Sequence, residues 1–219
     1  MEVSEPRVVC FDMGDIFFSW IEWPERILRV VRSFGMPPER ECWFTGVMGR
    51  GLINMAETGR ITPRQFWKYI CRYAGISHKK LPEQLFSALY LQHLQPIEST
   101  IAIARQVQER YFLVGVSDGD IGSRYALQLL AMEPFSVRFA ETSASFECKV
   151  KKPMHYMRAA EMLAKKYGCC MDEIVCVDDI DEYMAFMREC GARGVTFNGA
   201  KEHAEVLRWR LKEGGVVFP

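Results

Sequence analysis

Three apolar runs in this chain each end in aspartate, and that repeat limits the folds open to it. Val8-Val9-Cys10-Phe11 leads into Asp12 and Asp15. Phe112-Leu113-Val114-Gly115-Val116 precedes Asp118 and Asp120, and Ile174-Val175-Cys176-Val177 precedes Asp178, Asp179 and Asp181. Seven of the eight aspartates thus fall in three short windows. Short unbroken apolar runs of this kind read as strands buried on both faces of a parallel sheet. In such a sheet the C-terminal strand ends form the ligand crevice, so the three windows converge on one place. Two carboxylates about 4 Å apart repel by roughly 4 kcal/mol at an effective dielectric near 20. The cluster therefore calls for a cation, Mg²⁺ being the usual one, or for a shared proton. Aspartate also favours turns and helix N-caps, which accounts for one or two of the seven but less easily for their concentration after strands.

The pattern along the chain extends this reading. Residues 24–93 are almost wholly helical in character. Pro24 opens one helix, Pro37-Pro38 begins another segment, and Gly49-Arg50-Gly51 is expected to break it. Thr62-Pro63-Arg64-Gln65 is a helix start, with Thr62 as N-cap and Gln65 completing a capping box, and Gly75 ends that helix. After residue 95 helices and strands alternate: helix 97–110, strand 111–116, helix 121–132, strand 137–140, helix 153–167, strand 174–177, helix 181–190, strand 195–197 and helix 201–212. This alternation implies an α/β fold, a Rossmann-like parallel sheet with helices on both faces. The α/β core spans 1–16 and 95–219, and a helical insertion spans 17–94. The aromatic stretch 17–23 reads either as a lining of the cleft or as core of the helical insertion, the latter favoured.

Composition excludes several classes. The chain has 219 residues and a formal net charge of zero, so nothing points to a nucleic-acid or membrane-surface partner. No apolar run approaches the 18 residues of a transmembrane helix, and the acidic start lacks a signal-peptide core. The eight cysteines contain no Cys-x-x-Cys pair, which suits free thiols in a reducing cytoplasm. The four histidines share no metal-ligand spacing, so surface or packing roles are their default.

Four sites carry the chemistry, in chain order: Asp12-Met13-Gly14-Asp15, Ser117-Asp118-Gly119, Lys149-Val150-Lys151-Lys152-Pro153, and Asp178-Asp179. Taken singly, each has a plainer reading. A strand-ending Asp or Ser serves as a helix cap, a Lys-Lys pair is solvated surface, and Asp181 and Glu182 are first-turn acids favoured by the helix dipole. The Pro153 helix start selects Lys152 over Lys151 by register.

Together, in order and each after the right element, the four sites resemble the motifs of the haloacid dehalogenase-like hydrolase superfamily, over nearly the whole chain. The helical insertion resembles that family's helical cap, and residues 54–67 are similar to a stretch common in such caps. The resemblance implies a Mg²⁺-dependent phosphatase acting on a small phosphorylated metabolite. Asp12 would be the nucleophile, forming an aspartyl-phosphate that water then hydrolyses. Mg²⁺ would be held by Asp12, the Gly14 carbonyl and Asp179, with Asp178 beside them. Ser117 would bind phosphoryl oxygens, and Lys152 would offset the negative charge. Asp118, Gly119, Trp20 and Arg50 are candidate substrate contacts, with Trp23 and Met48 behind them.

Two positions depart from the family pattern. Most of its phosphatases carry an Asp acid two residues after the nucleophile, where this chain has Gly14; Asp15 stands one further on. Members with Asp-x-Gly resemble sugar-1-phosphate phosphatases, whose anomeric leaving group needs less acid assistance. Asp118 stands where such members often carry Asn, placing negative charge near a phosphate site. A 2-haloacid dehalogenase and a non-catalytic binding protein of the same fold remain the alternatives. The acidic pair Asp178-Asp179 counts against the first, and the retained set Asp12, Ser117, Lys152 and Asp179 against the second.

Overall fold

The computed structural model describes residues 5–19, 23–92, 94–119 and 129–219. Its strands are β1 (Val8–Phe11), β2 (Phe18–Ser19), β3 (Gln95–Pro96), β4 (Phe112–Ser117), β5 (Glu141–Ala144), β6 (Ile174–Asp178) and β7 (Arg193–Thr196). Five of them form one parallel sheet in the order β5-β4-β1-β6-β7. The strands carrying the three aspartate windows are therefore neighbours, with β1 central. Phe11 lies opposite both Gly115 and Val177, so the three strands end at the same edge.

Alternation along each strand builds two helix layers. Val9 and Phe11 of β1 and Val175 and Val177 of β6 face one way, onto helices Glu98–Val107 and Ala204–Glu213. Val8 and Cys10, with Ile174 and Cys176, face the other way, onto helices Met154–Tyr167 and Asp181–Glu189. Both sheet faces are covered, as the unbroken apolar runs require. All eight cysteines are free. Among the described residues no helix is long and apolar enough to cross a membrane.

Between β2 and β3 lie the helices Trp23–Ser33, Glu41–Thr45, Val47–Glu57, Pro63–Ala74 and Glu83–Leu91. They share an apolar core of their own, including Ile27, Val31, Phe44, Phe66, Ile70 and Leu81. β2 and β3 pair antiparallel, so the chain leaves and re-enters the α/β body side by side. The capping box forms: the Gln65 N–H donates to Thr62 Oγ1, and the Thr62 N–H donates to Gln65 Oε1. Gly75 closes that helix with φ of 70°, which favours a residue without Cβ.

Three expectations are corrected. Gly49-Arg50-Gly51 does not break a helix; Val47–Glu57 runs through it. A Cβ on Gly49 would stand 2.2 Å from the Phe44 carbonyl oxygen, so glycine there permits close approach of the preceding turn. The short strand expected at 137–140 lies later, at Glu141–Ala144. An edge strand has a partner on one side only, which suits a polar Glu-Thr-Ser-Ala run, while Val137 is buried from a loop with its N–H on the Leu130 carbonyl. Phe17 and Phe18 belong to neither the cleft nor the helical core. They are fully buried in the α/β core, where the Phe17 ring lies 5.2 Å from Phe11.

Candidate active site

The site starts where β1 stops. The Asp12 N–H donates to the Val177 carbonyl, continuing the ladder by one residue and fixing Asp12 between β1 and β6. The chain then turns tightly. The Phe17 N–H reaches the Met13 carbonyl, the Asp15 N–H reaches the Phe18 carbonyl, and Asp15 takes a left-handed φ of 51°. The Asp15 carbonyl in turn accepts from the Gly199 N–H, so the turn is tied at both backbone groups.

Lys152 links the two carboxylates that bury deepest. Its ammonium lies 2.6 Å from Asp12 Oδ1 and 2.7 Å from Asp178 Oδ2, and its side chain is 3 % exposed. Asp178 is itself fully buried and has two further partners. Oδ2 also accepts from the Tyr156 hydroxyl at 2.9 Å, and Oδ1 accepts from the Ile180 N–H at 2.9 Å. The Tyr156 ring also packs against the Lys152 ammonium, 4.9 Å from ring centroid to nitrogen. Burial opposes the charge on Lys152, but Asp12 and Asp178 outweigh it and hold its pKa above the ordinary lysine value. Burial, with Asp178 and Asp12, pushes the Tyr156 hydroxyl well above its usual range, so it stays a neutral donor.

One ammonium does not balance this cluster. Asp12, Asp178 and Asp179 each bring a carboxylate oxygen within 4.8 Å of the others. Burial lifts the Asp12 carboxyl to about 7, against the pull of Lys152 and with the push of Asp178. Burial likewise lifts half-buried Asp179 to about 6, with Asp178 and Asp15 adding to the rise. Raised carboxyls at a shared point mark buried, crowded negative charge that a divalent cation would relieve. The donor set is all oxygen, as hard cations prefer.

The other expected residues divide. Ser117 ends β4 and is buried at the same strand edge. Asp118 turns its carboxylate inward: both oxygens accept from the Lys152 backbone N–H, at 3.1 and 2.9 Å. The Gly119 N–H donates to Ser145 Oγ at 3.2 Å, and the Ser145 hydroxyl donates to the Glu57 carbonyl at 2.7 Å. Asp118 and Gly119 thus have partners within the chain, which sequence reasoning did not foresee. Arg50 is exposed on helix Val47–Glu57. Trp20 lies outside the described residues, as do Asp120, His93 and most of the helix expected at 121–132.

Lys151, adjacent to Lys152, points elsewhere and pairs with Glu57 at 2.6 Å. With the Ser145 bond, this ties Glu57 of the helical segment to the C-terminal side of the sheet. Sequence reasoning missed Glu57, Tyr156, His155 and Ser143. Only Tyr156 left a signal, standing in the first turn of the helix that follows Lys152-Pro153.

No protein-family model and no curated protein matches the sequence. Solved structures do match it in shape. A haloacid dehalogenase (HAD) family enzyme from Bacteroides thetaiotaomicron superposes with a TM-score of 0.73 at 17% identity, over 94% of this chain and 100% of that one. The same enzyme has been solved in complex with magnesium and inorganic phosphate. A predicted HAD-like family hydrolase from Porphyromonas gingivalis gives 0.68 at 21% identity, over 95% and 99% of the two chains. A 2-haloacid dehalogenase from Pseudomonas syringae pv. tomato gives 0.61 at 14% identity, over 95% and 99%. Strand order, helix layers and these superpositions agree: the chain has the fold of the haloacid dehalogenase-like hydrolases.

Proposed function

We propose that the protein is a Mg²⁺-dependent phosphatase that hydrolyses a small phosphorylated metabolite through an aspartyl-phosphate on Asp12. The observation that carries this reading is the cluster itself: Asp12 lies 2.6 Å from buried Lys152 and within 4.8 Å of Asp178 and Asp179. The Bacteroides enzyme of the same fold, crystallised with magnesium and phosphate, supports it. Asp12, the Gly14 carbonyl and Asp179 would hold the metal, with Asp178 at their side. Bound there, Mg²⁺ neutralises the phosphate and the nucleophile so that two anions can meet.

An Asp12 carboxylate oxygen attacks phosphorus, and the ester P–O bond breaks with the alkoxide leaving. Water then attacks the aspartyl-phosphate, releasing phosphate and restoring Asp12. Lys152 holds Asp12 in place and favours its charged form. Asp178 and Tyr156 hold Lys152. Ser117 hydrogen-bonds a phosphoryl oxygen. With Gly14 in place of an acid, leaving groups that need little protonation are favoured, which points to sugar phosphates activated at the anomeric carbon.

The helices within 17–94 serve as the cap over a core of 1–16 and 95–219, to which Phe17 and Phe18 add their side chains, and close on the site through Glu57. Arg50 lies two turns before Glu57 on one helix face, where its guanidinium can reach an anionic or polyhydroxylated substrate. Trp20 and Gly119 complete the candidate contacts. The protein acts in the cytoplasm.

The test is phosphate release from a panel of sugar and small-metabolite phosphates, with and without Mg²⁺, for wild type and Asp12→Asn. Mg²⁺-dependent release lost in Asp12→Asn supports the reading. Halide release from 2-haloacids without Mg²⁺ replaces it with the dehalogenase reading. Folded protein that binds neither Mg²⁺ nor beryllofluoride leaves a binding module.

A further inference from the structure

Asp118 poses a problem for any anion-binding site, because it adds a negative charge beside the strand end where phosphate would bind. Its hydrogen bonds answer the problem. The Lys152 N–H directly precedes Pro153 and helix Met154–Tyr167, a position where backbone donors commonly lack intrahelical partners. Both Asp118 oxygens accept from it, at 3.1 and 2.9 Å. Asp118 Oδ1 also lies 3.3 Å from His155 Nδ1, and His155 Nε2 lies 2.8 Å from Ser143 Oγ. A single neutral tautomer, with the proton on Nδ1, satisfies every contact: the imidazole donates to Asp118 and accepts from the Ser143 hydroxyl. Ser143 is anchored in β5, opposite Val116 of β4.

The order Ser143–His155–Asp118 is that of a hydrolytic triad, but the geometry rules out a second nucleophilic site. His155 is fully buried and Ser143 is 5 % exposed, so neither group meets a substrate. The network ends instead on the Lys152 main chain, and the Lys152 side chain ends on Asp12. We infer that Asp118, held by His155 and Ser143, is a positioning residue that fixes the Lys152 backbone and so sets its ammonium against Asp12. Its effect on turnover rests on the phosphatase reading; its effect on Lys152 does not. Asparagine at this position could accept the Lys152 N–H, but its amide would then donate to His155 Nδ1, with the proton moved to Nε2 and the Ser143 hydroxyl turned to accept. Alanine could do neither.

The experiment compares wild type, Asp118→Ala, Asp118→Asn and His155→Ala by two readouts. The first is amide hydrogen exchange at Lys152 in NMR, which needs no substrate. The second is kcat and KM on the phosphate ester that wild type turns over fastest. In wild type the Lys152 amide exchanges slowly. Asp118→Ala speeds its exchange and lowers kcat about 10- to 100-fold, the size expected when a catalytic group shifts by about 1 Å, with KM within about threefold. Asp118→Asn restores both slow exchange and most of kcat. His155→Ala falls between them. Unchanged Lys152 exchange in folded Asp118→Ala overturns the inference. So does fast exchange with wild-type kcat, because Lys152 would then need no such support. Should wild type hydrolyse no phosphate while the exchange pattern holds, the phosphatase reading fails and the positioning of Lys152 stands.

Discussion

At the C-terminal edge of the sheet, Lys152 lies between Asp12 and Asp178 at 2.6 and 2.7 Å. On the helical segment, Arg32 lies between Glu25 and Glu41 at 3.4 and 2.7 Å. On paper the two arrangements match: one cation, two carboxylates, similar distances. They differ in water. The Lys152 side chain is 3 % exposed and that of Arg32 is 42 % exposed. An exposed pair gains little, because solvent screens it and two long side chains must be ordered. A buried cluster is costly to assemble and costlier to break, because loss of one partner strands the others. The α/β edge carries a desolvated charge excess that stability alone does not require, and the helical segment does not. That contrast, more than any single residue, singles out the sheet edge as the candidate functional end of the molecule.

The largest expected effect is on chemistry. Asp12→Asn removes the proposed nucleophile and should lower phosphate release by about 10³-fold or more. It also removes one carboxylate from an overcharged site, leaving Lys152 paired with Asp178. Metal-free Asp12→Asn should therefore melt no lower than metal-free wild type. A clear drop in its melting temperature would mean that the cluster is structural and would break the comparison.

Lys152→Met tests the other side. It strands Asp12 and Asp178 in a buried site and should cost about 3–5 kcal/mol of stability, read from denaturant unfolding, along with nearly all turnover. Arg32→Met, made as the matched control, should leave the unfolding midpoint unchanged. Equal effects would show that burial does not separate the two clusters.

The raised carboxyls give a pH signature. Asp12 at about 7 and Asp179 at about 6 both lie above their unfolded values. In metal-free protein each group's contribution is present in full below its unfolded pKa, near 4, and is lost as pH rises through the folded value. Melting temperature in EDTA should thus fall from about pH 4 to about pH 7 and then level off. Excess Mg²⁺ should flatten that slope, because a cation on the carboxylates lowers their pKa. A slope unaffected by Mg²⁺ would place the metal elsewhere. The Lys152 shift lies far above this window and contributes nothing to the slope.

How much of this could be read from the sequence follows from the range of the forces involved. β1, β4 and β6 were legible because a doubly covered strand must be apolar throughout, and their aspartates then had to lie at one edge. Lys152 was legible over Lys151 because the Pro153 helix start fixes the register. β5 was not, because an edge run of Glu-Thr-Ser-Ala carries no apolar signal. The aromatics Phe17 and Phe18 were misplaced because hydrophobicity says that a residue is buried but not in which core. The inward contact of Asp118 was not legible because its main partner is a backbone N–H 34 residues away, and no residue type announces a backbone donor. His155 was missed for a similar reason: its neighbours come from β5 and from the end of β4.

The smallest effect concerns the helical segment alone. Thr62→Ala removes the acceptor of the Gln65 N–H in the capping box and should cost about 1 kcal/mol, with kcat and KM unchanged. An N-cap acts within its own first turn. Yet Thr62 follows Glu57 by only five residues, and Glu57 is held by Lys151 and Ser145 beside the candidate site. If Thr62→Ala raised KM while leaving kcat intact, the stretch between Glu57 and Thr62 would have to transmit helix order to the mouth of the site. The helical segment would then be more than an independent core resting on the sheet: its local hydrogen bonds would help to set how the cap meets substrate.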